Sequence, residues 1–515
     1  MAQPGTSPPA PFADGIAGAV PCERITVESD RPVRKNGKHV VYWCIAARRT
    51  RSNFALQRAL ELARECGRPL VVFEPLRADY RWASDRLHAF VLQGMADNAR
   101  AFAGTGILFA PYVEPEPGAG RGLLEALAKD ACAVVTDRTP IFFLPRMVDA
   151  AALRLAALGT RLEAVDSNGL LPLGDSPQVF ATAYAFRRHL QKHLGPHLSA
   201  LPEPDPLRAG NVVPHAGLAT DVAKRLVFPN AALLEGSATA LAQLPIDHSV
   251  APSPVSRGGP EAGRTRLVDF LARRLERYAS ERSEPASDAS SGLSPYLHFG
   301  HIGAAEVFTE LAAREGWDRS RLSAQKNGKR AGWWGMDEPA ESFLDELITW
   351  RELGFQCAAA APETFETYAF QPEFAQRTLA RHASDPREHL YSLDDLAAAR
   401  THDPLWNAAQ RQLLREGHMH NYLRMLWGKK VLEWSPTPEE AFDRLVELNN
   451  RFALDGRDPN SYSGIGWVLG RFDRPWGPER PVFGTVRYMS SANTARKLDV
   501  DPYLAKYGAA PGLFG

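Results

Sequence analysis

Short apolar runs alternate with amphipathic stretches between residues 38 and 170. The runs are 39–45 (HVVYWCI), 69–73 (PLVVF), 107–113 (ILFAPYV), 132–136 (CAVVT) and 161–166 (RLEAVD). Each is of strand length and rich in β-branched or aromatic residues. Between them, 53–65 and 86–102 carry apolar residues at helical spacing, with Phe54, Leu56, Leu60 and Leu62 near one face. Strand–helix alternation at this spacing predicts βαβ units and a parallel sheet. The turn after the first run reads Ala46-Ala47-Arg48-Arg49-Thr50. It lacks the glycine pattern GxGxxG of a dinucleotide-binding turn. Over 200–263 periodicity fades into a Pro-, Gly-, Ala- and Ser-rich connector ending Ser256-Arg257-Gly258-Gly259-Pro260. From 264 the pattern turns helical, and Leu267, Phe270, Leu271, Leu275 and Tyr278 mark the first helix. Further helices are predicted over 301–315, 341–358, 404–416, 418–433 and 438–452, with Pro438 opening the last. The stretch 318–340, containing KNGKRAGWWG (326–335), reads as an exposed loop with a basic and aromatic tip.

Composition narrows the class. The chain has 515 residues, of which 44% are hydrophobic and 23% charged. That is a globular composition long enough for about two to four domains. Sixty basic and sixty acidic residues cancel. Neutrality argues against polyanion binding by the whole surface, but it leaves room for a local basic groove. The charges are segregated: 301–400 holds 11 basic and 17 acidic residues, whereas 451–515 holds nine basic and six acidic. Between Arg411 and Lys430 the cations Arg411, Arg415, Arg424, Lys429 and Lys430 face one acid, Glu416. The five cysteines are scattered with no CxxC pair, which fits a reducing cytosol and predicts no metal site. No apolar run approaches the length of a membrane span. Residues 1–21, without a basic start, read as a disordered tail and not as a signal peptide. Nine of the eleven tryptophans crowd between Trp317 and Trp476.

Four constellations can carry chemistry. Ser290-Ser291-Gly292-Leu293-Ser294 precedes a helix start, where hydroxyls and free N–H groups suit a phosphate, or simply cap the helix. Trp406, Trp427 and Trp434 lie on adjacent helical segments, as a core stripe or an electron-hopping chain. Glu346 and Trp350 stand four apart on one helix, where a carboxylate beside an indole suits a flat, hydrogen-bonding ring, or is simply a surface acid beside a packing residue. Basic residues interleaved with tryptophan suggest nucleic acid, although a solvated charged face has the same composition.

Together these segments resemble the photolyase/cryptochrome family, and most closely the class II cyclobutane pyrimidine dimer (CPD) photolyases. The resemblance rests on SGLSPYLHFG (291–300), ESFLDELITWREL (341–353), HDPLWNAAQ (402–410), GHMHNYLRMLWGKKVLEWSPTPEEA (417–441), LNNRFALDGRDPNSY (448–462) and FGTVRYM (483–489). It covers 38–505 and is strongest after 264. It implies an α/β N-terminal domain with a parallel Rossmann-like sheet (38–199), a connector (200–263) and an all-helical FAD-binding domain (264–515), after a tail and lead-in over 1–37. Tyr278, Ser291, Gly292, Leu293 and Ser294 would contact the FAD phosphates and ribose. Arg424 and Asp455 would form a salt bridge beside the flavin, and Asn449 would face its N5. Electrons would run along Trp427, Trp406 and then Trp434 at the surface. Glu346, Trp350, Met425 and Trp467 would line the pocket for a flipped-out dimer. The implied activity is light-driven CPD repair in UV-damaged DNA by electron transfer from excited FADH−. An antenna chromophore, deazaflavin or folate, is a further implied cofactor. The expected setting is a monomer in a bacterial-type cytosol, away from membranes.

The chain departs from the family pattern in four places. Ala46-Ala47 replaces an Arg-Asp pair, which puts the antenna chromophore in question. Leu353-Gly354-Phe355-Gln356-Cys357 replaces a segment with an Asp-Asn pair placed close to the flavin. Asn450 stands where the family carries Asp. The 318–340 loop is longer than usual, and its Lys326, Lys329, Arg330, Trp333 and Trp334 suit either DNA contact or a solvent-exposed insertion. The competing readings are a cryptochrome-like blue-light receptor and a photolyase homologue with altered lesion specificity. Cryptochromes typically carry a long C-terminal extension, and here 26 residues follow Met489.

Overall fold

The computed structural model describes residues 19–174, 178–208, 210 and 212–508. Its sheet has six strands: β1 (Ile25–Ser29), β2 (His39–Trp43), β3 (Leu70–Leu76), β4 (Leu108–Val113), β5 (Ala131–Asp137) and β6 (Leu162–Val165). The last five match the apolar runs. β1 falls in the stretch read as tail and lead-in, whose residues 1–18 lie outside the described ones. The order is β1-β6-β5-β2-β3-β4, with β1 antiparallel at the edge and the other pairs parallel.

Every residue of β2 and β5 is buried, because helices cover both faces. Successive side chains point to opposite faces. Val40 and Tyr42 join the core under α1 (Phe54–Cys66). α2 (Asp85–Phe102) packs along β3 and β4. Val41 and Trp43 join the core under α3 (Leu123–Ala128) and α4 (Leu144–Ala157). α1 begins at Asn53, whose side chain accepts the N–H groups of Ala55 and Leu56, and ends at Gly67 in the left-handed conformation. Strand order reverses between β2 and β5, and a cleft of about 1210 Å³, counting its open mouth, lies at the carboxyl ends of these strands. That is where open α/β sheets bind ligands.

The helical half forms one core. α5 (Ala183–His197), read from sequence as part of the first domain, buries Phe186, Leu190 and Leu194 in it. The connector contains three short helices, Thr220–Arg225, Ala231–Leu234 and Ala238–Leu241, the last packed on α2 through Leu241. Then follow α6 (260–281), α7 (Ser294–His298), α8 (Ala304–Arg314), α9 (338–360), α10 (Pro404–Glu416), α11 (Asn421–Glu433), α12 (Pro438–Phe452) and α13 (Pro459–Val468). α6 and α9 pack together, and each contains a widened π turn, at Phe270–Arg274 and Asp345–Trp350. Such turns re-aim side chains and recur at functional sites. No helix among the described residues is long and apolar enough to cross a membrane.

The 326–335 tip departs from its expected exposure. Trp333 and Trp334 are only 4% and 5% exposed. They pack with the buried Trp317 and Phe308, and Trp317 donates its indole N–H to the Trp334 carbonyl at 2.6 Å. The basic residues of the loop stay outside.

Candidate functional site

α6 and α9 bring the first group together. Glu346 sits in the widened turn of α9 and accepts an ion pair from Arg282 at 2.7 Å. Arg282 also lies over the ring of Tyr278, 5.7 Å from its centroid. Tyr278 is buried edge-on against Phe270 and Phe343. The Glu346 side chain retains 27% exposure. Burial raises its pKa above the usual carboxylate range, although the cations Arg282 and Arg330 pull the other way. Trp350, one turn on, is half-buried. Arg282 was not foreseen; its signal in the sequence is the i, i+4 spacing from Tyr278 on one helix face.

The second group is a network. Arg424 on α11 meets Asp455 in a two-pronged pair at 3.0 and 3.2 Å, and the Ser294 hydroxyl donates to Asp455 at 2.8 Å. Burial pushes the Asp455 carboxyl up, but Arg424 and the Ser294 hydroxyl outweigh it and hold it down at about 2. The serine-rich segment is thereby tied to the cation predicted beside the flavin. Gly292 has φ 65°, and a Cβ there would lie 2.5 Å from the Arg266 guanidinium, which binds the Ser290 and Ser291 carbonyls. Leu293 points into the core, so only its backbone can serve a ligand.

Asn449 is buried on α12 and donates its amide to Ser461 at 2.6 Å and to Asn450 at 3.1 Å. Asn450 in turn accepts from the Arg457 N–H at 2.8 Å and donates to the Tyr462 hydroxyl at 2.9 Å. A buried amide therefore replaces the family's carboxylate with both a donor and an acceptor in use. An aspartate here would lose the donated bond.

Met425 and Trp467 are half-buried. Met425 lies one turn from Lys429, whose ammonium stands 5.9 Å from the Trp467 ring centroid. Arg487 lies over the same ring at 5.2 Å. Among the described residues no ring contact joins Trp350 to Trp467.

Three tryptophans form a buried file. Trp427 and Trp406 lie 6.3 Å apart and nearly parallel, and Trp406 meets Trp434 edge-on at 5.5 Å. Gln410 accepts the Trp427 indole N–H at 2.9 Å, and Trp406 donates to the Trp427 carbonyl at 3.0 Å. Trp434 does not reach the surface as expected: it is 2% exposed. Tyr391 and His402 cover it, each 5.3 Å away, and the Tyr391 hydroxyl is 2.7 Å from His402 Nδ1.

The segment Leu353–Cys357 is packed between the two halves of the molecule. Gln356 donates to the Pro172 carbonyl at 2.8 Å, Gly354 abuts α13, and Leu353 and Cys357 lie in the core. It therefore packs on the α/β domain and α13. Behind Ala46-Ala47, the Asp137 carboxylate accepts the N–H groups of Ile45, Ala46 and Ala47. The switch-point cleft above them is lined by Tyr80, Phe142 and Phe143 with Arg48, Arg77 and Arg138.

These groups fit a large anionic cofactor. A cation fixed by its carboxylate, a hydroxyl-rich turn and a half-exposed Arg–Glu pair border one region of the helical core. The buried His420 Nδ1, at the entry to α11, has no hydrogen-bond partner among the described residues.

A doubly wound α/β domain is thus joined to a helical domain with a buried tryptophan file, the arrangement that the resemblance to light-responsive flavoproteins implies. The comparisons with known proteins agree. The chain is 33% identical over 473 residues to the deoxyribodipyrimidine photo-lyase of Methanothermobacter thermautotrophicus, covering 91% of this chain and 94% of that protein. It is 33% identical to the Oryza sativa enzyme of the same name, covering 92% of this chain and 88% of that one. For the Potorous tridactylus enzyme the identity is 31%, covering 94% and 84%. Among solved structures, a class III photolyase from Agrobacterium tumefaciens matches with a TM-score of 0.65 at 19% identity, covering 92% of this chain and 86% of that one. A cryptochrome from Synechocystis matches with a TM-score of 0.65 at 16% identity, covering 91% and 88%. No family model matches. The chain belongs to the photolyase/cryptochrome family.

Proposed function

We propose that this chain repairs cyclobutane pyrimidine dimers in DNA with light, as a class II-like photolyase working with FADH−. The observation that carries this reading is Glu346, a carboxyl raised by burial, paired with Arg282 and standing beside the half-buried Trp350. An acid that holds its proton more tightly than usual can hydrogen-bond or donate to a base carbonyl that gains negative charge. A signalling role gives no evident use for that proton.

When bound and excited, the reduced flavin supplies the electron that opens the cyclobutane ring and takes it back. The chain's residues do the rest. A dimer inside a duplex must first be flipped out, and its stacking is already poor. Trp350, Met425 and Trp467 offer apolar walls for the fused pyrimidines. Glu346 and Arg282 offer a proton and a cation to their carbonyls. Arg424, fixed by Asp455, favours an anionic ring beside it. The Ser291 hydroxyl and the backbone of Gly292, Leu293 and Ser294 would offer donors to the phosphates and ribose, and Tyr278 would be a further contact. Asn449, its amide tied to Ser461, keeps its carbonyl for the flavin edge. Trp427, Trp406 and Trp434 relay electrons inward, entering by way of Tyr391. The switch-point cleft, aromatic on one wall and basic on another, is the proposed seat of an antenna chromophore.

The test is illumination of the reduced protein with a CPD-containing oligonucleotide. Light-dependent recovery of the absorbance lost on dimer formation is expected. Glu346→Gln should bind the same DNA and repair it less. Binding without light-dependent loss of the dimer would overturn repair. An oligonucleotide with a 6–4 photoproduct separates the lesion classes.

A further inference from the structure

The loop 326–330 is held rigidly against α5 with its cations outward. Gln191 accepts the Gly328 N–H at 2.7 Å and donates to the Lys329 carbonyl at 3.0 Å. Arg187 donates to the Gly328 carbonyl at 3.2 Å and grips Asp345 at 2.7 Å. Arg330 reaches the same Asp345 at 3.1 Å with 58% of its side chain exposed. Farther along, Glu341 accepts the Gly335 N–H at 2.8 Å and also binds that of Gly332. Gly328 has φ 78°, and a Cβ there would sit 2.9 Å from the Tyr184 ring, so the close seat on α5 requires glycine.

The result is a preformed strip. Lys326, Lys329 and Arg330 from the loop join Arg188 and Lys192 from α5, all exposed, around Tyr184, which is 55% exposed. Arg188, Lys192, Lys326 and Lys329 form no ion pair among the described residues, although 301–400 carries an acid surplus. Arg330, anchored on Asp345, also lies close enough to Glu346 to act on its charge, so the strip borders the candidate lesion pocket. Fixed, unpaired cations around an exposed aromatic ring match the chemistry of a nucleic-acid backbone.

We propose that this strip grips the phosphodiester backbone of DNA flanking the lesion. The inference rests on the proposed repair function. Its test is the salt dependence of binding to a CPD-containing duplex by the full-length protein and by K326Q/K329Q. Each phosphate contact contributes a slope of about −0.9 in log K against log salt. Loss of two should make the slope shallower by about 1.8, so between 50 and 200 mM salt the wild type should lose about twelvefold more affinity than the variant. Undamaged duplex should show the same change. Repair per photon at saturating DNA should be unchanged, and matching thermal melts confirm folding. An unchanged slope overturns the strip, as does lost repair at saturation. A wild type that binds without repairing overturns the repair reading alone; one that binds no DNA overturns both.

Discussion

Glu352 joins the two domains through a single buried carboxylate. It is 2% exposed, and its oxygens accept the N–H groups of Leu170 at 2.7 Å and Leu171 at 3.0 Å. Burial pushes its pKa up to about 7, outweighing those two bonds and the cations Arg351 and Arg24. A carboxyl raised in the folded state contributes stability that is full below its unfolded value and lost as pH rises through the folded one. From 4.5 to about 7, at 1.36 kcal/mol per pH unit, the loss is about 3 kcal/mol. Glu352→Gln removes the titration. Its amide group turns an N–H toward a backbone N–H, which costs about 1–3 kcal/mol at every pH. The variant should therefore be less stable than wild type near pH 4.5 and recover about 3 kcal/mol relative to it by pH 8. With about 2.1 cal/mol/K of unfolding entropy per residue over 515 residues, that is a relative Tm rise of about 3 °C if the chain unfolds as a unit. Buried histidines complicate each profile alone: burial lowers His88 and His420 to about 4, and their contribution is lost as pH falls from 6.5 toward that value. They cancel in the difference between the two proteins. Scanning calorimetry from pH 4.5 to 8 measures it, and a Tm difference that stays flat would refute the assignment of this titration to Glu352.

Trp406→Phe should sharply slow photoreduction of the oxidised flavin while sparing repair by chemically reduced protein; it should also cost about 1 kcal/mol through the lost bond to the Trp427 carbonyl, read from transient absorption and melts. Asp455→Asn should destabilise the protein by about 2 kcal/mol at pH 7, since the folded pKa of about 2 lies below the ordinary 3.8 and the stabilisation is present above 3.8; thermal melts and flavin retention on gel filtration check it. Gly328→Ala should cost about 1–2 kcal/mol from its left-handed backbone alone, more if Tyr184 cannot yield, seen as a lower Tm and protease cleavage in the loop.

Local pattern carried much of the architecture. The five parallel strands and the helices at 404–416 and 438–452 appear where the pattern predicts them, because the strands are short apolar runs buried on both faces and the helices each bury one stripe. β1 escaped because only Ser29 of its five residues is buried, leaving an edge strand with no apolar signature. α13 escaped because Gly464 and Gly466 dilute its helical signal, while Asp458 and Pro459 still start it. The errors in exposure share one cause. What covers Trp434 is Tyr391 and His402, and what covers Trp334 is Phe308 and Trp317, all distant in sequence. Local composition reports a residue's own chemistry and not its cover. For the same reason Arg282 stayed hidden, since its partner Glu346 lies on another helix.

That distinction changes what neutrality means for DNA binding. Long-range attraction follows net charge, which is zero, and salt screens it beyond about 8–10 Å. Contact energy instead follows the cations left unpaired on one face. Most arginines of the helical domain are occupied: Arg282 by Glu346, Arg424 by Asp455, Arg187 by Asp345. The lysines at 326 and 329 are not, and they sit on a loop whose backbone is already fixed. Little backbone ordering entropy would then be lost on contact, leaving the cost of ordering the lysine side chains. A protein so built should search undamaged DNA weakly and discriminate through the flipped dimer. Its specificity ratio should therefore respond more to Glu346 and Trp350 than to the strip, while its salt slope should respond in the opposite order.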